Sequence, residues 1–409
     1  MGDDHRTGGG GTGETAGQVH RSDRAYGRAR PVWAEVHLDA IGANLDEIRR
    51  RVGRPARIIA TVKADAYGHG IVPVGRYLER IGVDALATAN LDDAVALREH
   101  GVRLPILMFA SNLPEGVGTL LAYGLTPTVY DIATARGISE IATGPVNVHV
   151  KVDAGLGRLG VKLRHARELI LQVARLPHLT VEGVYTHIAF SDDVGEAWSR
   201  RRLAAFTDLI SELQSRDGLT IRYAEASASS VIACGFPDSL NTVAPGHLLF
   251  GLCPVGPGQA DMTGFTPALQ RVAARLIHVV DHEAGDDIAV SGHYGLSSGA
   301  RTGVILCGLD NGLRMPVADG GDMLCHGRRC PIVSVTAEYT VIDLSGVEDP
   351  RIGDTVTLIG TDGPETITLE QVARYLGVGS PARLLVDLRR IPMRYPGPAD
   401  RDRGTGMRA

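Results

Sequence analysis

Cysteine is scarce in this chain: five residues (Cys234, Cys253, Cys307, Cys325, Cys330) in 409, odd in number and without a C-x-x-C pair. That argues against a disulfide framework and fits a reducing compartment. Nothing approaches the run of about 18 to 20 apolar residues that a membrane helix requires. The first residues are Gly-rich and polar where a secretory signal would carry an apolar core. A basic excess is missing too, with 42 Lys+Arg against 47 Asp+Glu and a net charge of -5, which disfavours nucleic acid or an anionic membrane as partner. Together these absences lead us to expect a cytoplasmic protein that binds neither. No metal is expected: Cys325, His326 and Cys330 are close in sequence, but without a second ligand pair they read as small core thiols on a turn.

Hydrophobic residues make up 44% of the chain and charged residues 22%, so a sizeable core is available, and the length suits two domains. Residues 1–30, with MGDDHRTGGGGTGETAGQ, have no periodicity and read as a disordered tail. At Pro31 the character changes: PVWAEVHLDA reads as a strand that opens the first domain, and Asp39 as the cap of the segment AIGANLDEIRRRV. Eight short runs then alternate with helical segments: RIIATVK, ALATA, ILMFA, TPTVY, VNVHVKV, VEGVYTHI, IRYAEA and HLLFG. Near-continuous apolar runs suit parallel strands buried on both faces. The alternation therefore predicts an α/β fold, a (β/α)8 TIM-type barrel, over 31–265. From 266 to 396 strands and turns dominate, which predicts a mainly antiparallel β domain with one helix, TLEQVARYLG, behind a Thr cap. Residues 397–409 read as a flexible tail.

The most informative string is ATVKADAYGHG, Ala60 to Gly70. It starts where the first of the eight strands ends, and catalytic residues of barrels sit at the carboxyl ends of strands. Lys63 is thereby placed at the mouth with an apolar strand behind it. Desolvation there would lower its pKa and let it form a Schiff base with a carbonyl. Tyr67 can present a hydroxyl to an anion, and the glycines let backbone amides approach one. The alternative for these residues is an exposed lysine on an ordinary strand-to-loop junction.

VKADAYGHG is similar to the lysine motif of the alanine racemase family, whose lysine carries pyridoxal 5'-phosphate (PLP). The resemblance runs from Pro31 to about Pro396. PVWAEVHLDAIGANL resembles the family's opening strand and helix, and KVDAGLGRLG, EGVYTHIAFSDD and PGHLLFGLCP resemble three further signatures in the family's order. It implies a PLP-dependent isomerase that interconverts L- and D-amino acids, built as a homodimer whose active sites each borrow residues from the partner. Lys63 matches the cofactor lysine and one of two acid/base groups, Tyr67 a phosphate ligand, and Arg158 the arginine at the cofactor phenolate. Lys151 matches a lysine that can be carbamylated to orient that arginine, and His187 a histidine at the cofactor. Independently of the family, a buried guanidinium at 158 would be a fixed cation for an oxyanion. Ser230 matches a phosphate ligand, with Ser227 and Ser229 as neighbouring alternatives, and Gly246 and His247 belong to the loop whose amides cap the phosphate. Tyr294 in GHYGLSSG matches the second base. Racemisation needs an acid/base on each face of Cα, and PLP provides the electron sink.

Several positions depart from the family pattern. Its arginine at the pyridine nitrogen aligns with Ala244, its Tyr-Ala-Asp-Gly tyrosine with Leu309, its Met-Asp pair near the substrate carboxylate with Ala337 and Glu338, and a late tyrosine with Pro381. Lost volume at 337 and 381 predicts a pocket wider than one built for alanine. Ala244 leaves reaction type open between racemisation and another α-carbon reaction, decarboxylation or elimination. The family's decarboxylase relatives usually carry a cysteine-aspartate motif, of which there is no convincing copy. A non-catalytic PLP-binding protein is a third reading, against which the second domain counts.

Overall fold

The computed structural model describes residues 31–110, 113–188, 190, 195–235, 238–256, 258–283, 299–317 and 321–397. The two tails read from the sequence, apart from Gly397, and Tyr294 lie outside the described residues. Short apolar runs form the strands. In chain order they are β1 (Val32–Val36), β2 (Arg57–Thr61), β3 (Ala85–Thr88), β4 (Ile106–Met108), β5 (Thr126–Val129), β6 (Val146–Asp153), β7 (Val161–Lys162), β8 (Leu179–Tyr185), β9 (Tyr223–Ala228) and β10 (Thr242–Ala244). Parallel pairing runs β5-β4-β3-β2-β10-β9-β8-β6, and β5 also pairs with β6, so eight strands close into a barrel.

The outer faces of these strands bury Ile58, Ala60, Leu86, Ile106 and Met108 against Leu45, Ile48, Val74, Leu78 and Leu97 of the helices. On the far side Val148, Val150, Val184 and Ala224 meet Ile138, Ile170, Leu203, Phe206 and Ile210. Each such aliphatic side chain contributes roughly 1.5–3 kcal/mol by leaving water. The inner face carries smaller groups, Ala85, Ala87 and Ala244 beside Ile59, Leu107, Tyr185 and Tyr223. Ala244 leaves space at the carboxyl end of the barrel, and it lines the cavity described below.

Two expectations are corrected. HLLFG is not the eighth strand: it forms a 3-10 turn, His247–Phe250, with Leu248, Leu249 and Phe250 fully buried, and β10 closes the ring instead. Pro245 ends β10 after three residues because it has no amide proton to extend the ladder. Nor does β1 open the barrel. It lies in the second sheet, antiparallel to β11 (Leu269–Asp281). A smaller correction concerns Asp39, which sits in the first turn of helix Leu38–Val52 and accepts from the amide of Ala40 (3.1 Å), while His37 occupies the N-cap position.

The second sheet continues with β12 (Arg301–Ile305), β13 (Asp322–Cys325), β14 (Arg328–Val335), β15 (Thr340–Asp343), β16 (Thr355–Asp362), β17 (Glu365–Ile367) and β18 (Met393–Arg394). Strands β11, β12, β15, β14, β13 and β16 pair antiparallel in a closed ring. Thr368 caps helix Leu369–Tyr375 through a reciprocal box with Gln371. Among the described residues no helix is long and apolar enough to cross a membrane.

Candidate active site

Lys63 leaves the end of β2 and enters an unusual turn. Ala64, Asp65, Ala66 and Tyr67 all have φ of 52–55° and ψ of 40–55°, one turn of left-handed helix. L-residues resist this conformation by roughly 1–2 kcal/mol each, so the surroundings have to hold it. The Asp65 carboxylate accepts from the amide of Ile71 (2.6 Å), and the Asp65 carbonyl accepts from that of Gly70 (3.0 Å). Gly68, at φ +78°, lies so close to helix Pro381–Asp387 that a Cβ would stand 2.2 Å from the carbonyl oxygen of Leu385. Tyr395 donates its hydroxyl to the carbonyl of His69 (2.9 Å), and the His69 ring stacks on Phe250. The C-terminal segment thereby fixes the turn that presents Lys63.

Beyond this turn a cavity of about 490 Å³ opens at the barrel mouth, lined by Lys63, Tyr67, Lys151, Arg158, His187, Ser230, Gly246 and His247 among others. All the expected site residues that are described in the barrel therefore meet in one place. Burial, then the nearby Arg158, lowers the Lys63 pKa from its ordinary value. Burial likewise pushes His187 down to about 3, helped by Lys151, Lys63 and Arg158, and His247 to about 4, so both imidazoles are neutral near pH 7. Arg158 is exposed at the rim, which corrects the reading of a buried guanidinium. Its loop is shaped by Asp153, whose carboxylate accepts from the amides of Gly155 (2.9 Å) and Gly157 (3.1 Å).

The anion-binding end is made by two loops. Ser229 Oγ accepts from the amides of Gly246 (2.8 Å) and Leu248 (3.2 Å), and Ser227 donates to Asp238. The Ser229 hydroxyl thus holds the backbone and that of Ser227 a carboxylate, while Ser229 and Ser230 both line the cavity. A Cβ at Gly246 would stand 2.6 Å from the Tyr67 hydroxyl, so only glycine lets that loop lie against the ring. Tyr67 is wedged against His247 and Phe250, with centroids 5.0 and 5.4 Å away.

Other lining groups carried no sequence signal. Thr186 presents a buried Oγ1 without a hydrogen-bond partner, and Tyr185 bonds Thr128 through its hydroxyl (2.9 Å). Glu225 is 3% exposed and is the carboxylate among the described lining residues. Burial pushes the Glu225 carboxyl up and the Lys151 ammonium down, and the attraction between them opposes both shifts. Ala244 lines the cavity as well, while Leu309, Ala337, Glu338 and Pro381 are not part of this lining. Leu309, Ala337 and Glu338 stand together on exposed loops, where the amide of Leu309 donates to the carbonyl of Thr336 (2.9 Å) and that of Asp310 to Ala337 (2.9 Å).

A lysine, an anion cradle and a histidine at the mouth of such a barrel can be compared with known proteins. The family model described as "Alanine racemase, N-terminal domain" matches residues 36–254, and "Alanine racemase, C-terminal domain" matches 269–395. This chain belongs to the alanine racemase family. An alanine racemase of Methanococcus maripaludis is 31% identical over 372 residues, covering 90% of this chain and 99% of that protein. One from Geobacillus stearothermophilus is 33% identical, covering 85% and 89%. Among solved structures, the alanine racemase from E. faecalis is similar at a TM-score of 0.81 and 29% identity, covering 90% of this chain and 98% of that one.

Proposed function

We propose that the chain is a PLP-dependent amino-acid racemase, a cytoplasmic homodimer that exchanges the α-proton of an amino acid larger than alanine through two bases. The observation that carries the proposal is the convergence of a desolvated lysine with an anion cradle in one cavity. The residues present fit the cofactor. Gly246 brings its loop against the Tyr67 hydroxyl where a Cβ would collide, Thr186 Oγ1 is a buried polar atom without a partner, and Lys63 carries a lowered pKa.

When bound, PLP supplies the electron sink that lets Cα lose its proton. Tyr67, Ser230 and the amides of Gly246 and His247 hold its phosphate, and Lys63 anchors it. Lys63 Nζ then removes or returns the α-proton on one face, its pKa lowered by desolvation so that the free amine is more readily available. Tyr294 of the partner subunit serves the opposite face. Neutral His187 accepts or donates one hydrogen bond without adding charge, and Arg158 holds the cofactor oxyanion at the rim. Leu309, Ala337 and Glu338, exposed in one chain, supply the wall of the partner's site, and the volume lost at Ala337 and Pro381 leaves that site wider than alanine needs.

Lys63→Ala should lose the visible absorbance of lysine-bound PLP together with racemisation; full activity in that variant would refute the assignment. Ala244 in the cavity wall motivates a second reading, in which the same cofactor supports decarboxylation or elimination. Product mass separates the two, since racemisation leaves it unchanged.

A further inference from the structure

Side chains of β9 alternate between the two faces of the barrel wall. Tyr223 belongs to the inner cluster, while Ala224 and Ala226 belong to the outer core, so Glu225 points inward. It is buried and lines the cavity. Its neighbours in register are Thr242 of β10 and Tyr185 of β8. The next inward position of β10 is Ala244, a methyl group in the same cavity wall. Among the described residues no side chain is hydrogen-bonded or ion-paired with the Glu225 carboxyl.

A buried carboxyl without a partner is costly, and the groups around this one are engaged elsewhere. Thr242 donates its hydroxyl to Asn241 (2.8 Å), and the Tyr185 hydroxyl is bonded to Thr128 (2.9 Å). Asp238 is held by Arg54 and Ser227, and Lys151 Nζ lies over the Tyr185 ring, 4.1 Å from its centroid. What remains for Glu225 is a ligand in the cavity.

The connectivity of PLP selects the atom. Its ring nitrogen stands para to the carbon that a lysine binds, and that carbon is flanked by the positions bearing the phosphate arm and the phenolate oxygen. With Lys63 at the first, the Ser230 and Gly246 loops at the second and Arg158 at the third, the nitrogen faces away from Lys63, between the phosphate loops and Arg158. Those loops follow β9 and β10, and Arg158 follows β6. The wall between them is built by β9 and β8, and Glu225 is its carboxyl.

We infer that Glu225 is the acid partner of the cofactor's ring nitrogen, taking over from the arginine that the family carries where this chain has Ala244. The inference deepens the proposed function and rests on reading this cavity as the PLP site. The proton balance closes within the pair: the carboxyl O–H breaks, its proton bonds to the nitrogen lone pair, and the carboxylate left behind accepts from the new N–H. Burial raises the Glu225 pKa, so the acid holds a proton to give. Lys63, Lys151 and Arg158 around the same cavity disfavour a cation on the ring, and an adjacent carboxylate offsets them. An arginine at 244 would act in the opposite sense, as a further cation that keeps its proton. A protonated ring draws electrons from Cα more strongly.

Nitrogen-15 NMR of the enzyme loaded with PLP labelled at the ring nitrogen reads this proton at neutral pH, with the lysine-bound absorbance reporting loading. Wild type should resonate in the pyridinium range. Glu225→Gln keeps the shape and an amide hydrogen to donate but has no proton to transfer, so its resonance should move to the range of neutral pyridine. A neutral nitrogen in wild type overturns the inference, as does a pyridinium signal retained in Glu225→Gln. Should Glu225→Gln fail to fold or to load, Glu225→Ser removes the same acid and is read in the same way. The readout does not depend on turnover: a protein that racemises nothing yet shows this pattern refutes the proposed function and leaves the pairing standing, whereas absence of lysine-bound PLP from wild type overturns both.

Discussion

Gly246→Ala probes the anion cradle with a single methyl group. Its Cβ would stand 2.6 Å from the Tyr67 hydroxyl, against about 3.5 Å for an unstrained contact, so the hydroxyl has to move by roughly 0.9 Å. His247 and Phe250 hem in the ring at centroid distances of 5.0 and 5.4 Å. Overpacking of this kind costs about 1–3 kcal/mol. With cofactor the hydroxyl has to keep the position that reaches the phosphate, so the cost appears as lost affinity. That converts to roughly 5- to 150-fold weaker PLP binding. Titrating the apoenzyme with PLP and following the lysine-bound absorbance measures it. Tyr67→Phe removes the atom that clashes, and the nearest contact becomes a ring carbon at 3.2 Å. The alanine should therefore cost less in the Tyr67→Phe background, a coupling that a double-mutant cycle reads directly. Wild-type PLP affinity in Gly246→Ala, or an equal cost in both backgrounds, would refute the reasoning.

The two neighbouring serines should separate by assay. Ser229→Ala strands two buried amides and should lower unfolding free energy by about 1–3 kcal/mol, whereas Ser230→Ala should weaken PLP binding and leave the melting temperature of the apoenzyme nearly unchanged. His149 is held neutral, with a folded pKa of about 3 against an ordinary 6.5. The unfolded chain therefore takes up this proton first as pH falls, and stability present above pH 6.5 is lost below it. Between pH 7.5 and 5.5 the loss is about 1 kcal/mol, and His149→Gln should remove that part of the pH dependence in denaturant titrations. If the sites are shared, a mixed dimer of a Lys63→Ala chain and a Tyr294→Phe chain should regain one working site, seen as activity absent from either parent; an inactive mixed dimer would contradict sharing.

The barrel is legible in the sequence because strands buried on both faces are written as apolar runs, and seven of the eight expected runs form its staves. The eighth is missed because β10 is three residues long, while HLLFG offers a stronger apolar run that periodicity cannot tell from a turn. The place of β1 is hidden for a different reason: its partner β11 lies beyond the whole barrel in sequence. Lys63, Tyr67 and Gly246 are readable through motifs that hold backbone and side chain together. The left-handed turn is not, since Ala64 to Tyr67 have no intrinsic taste for it and contacts from the C-terminal segment impose it. Glu225 looks like any acid in a strand, and only closure of the ring turns it inward to line the cavity.

Racemisation is decided at Cα. Proton NMR in heavy water, with PLP-loaded enzyme and a panel of L- and D-amino acids from alanine to larger side chains, follows loss of the Cα proton signal, and chiral analysis of the same tubes follows configuration. Exchange together with inversion, at unchanged product mass, is the predicted result. Mass loss, or neither exchange nor inversion across the panel, would contradict it.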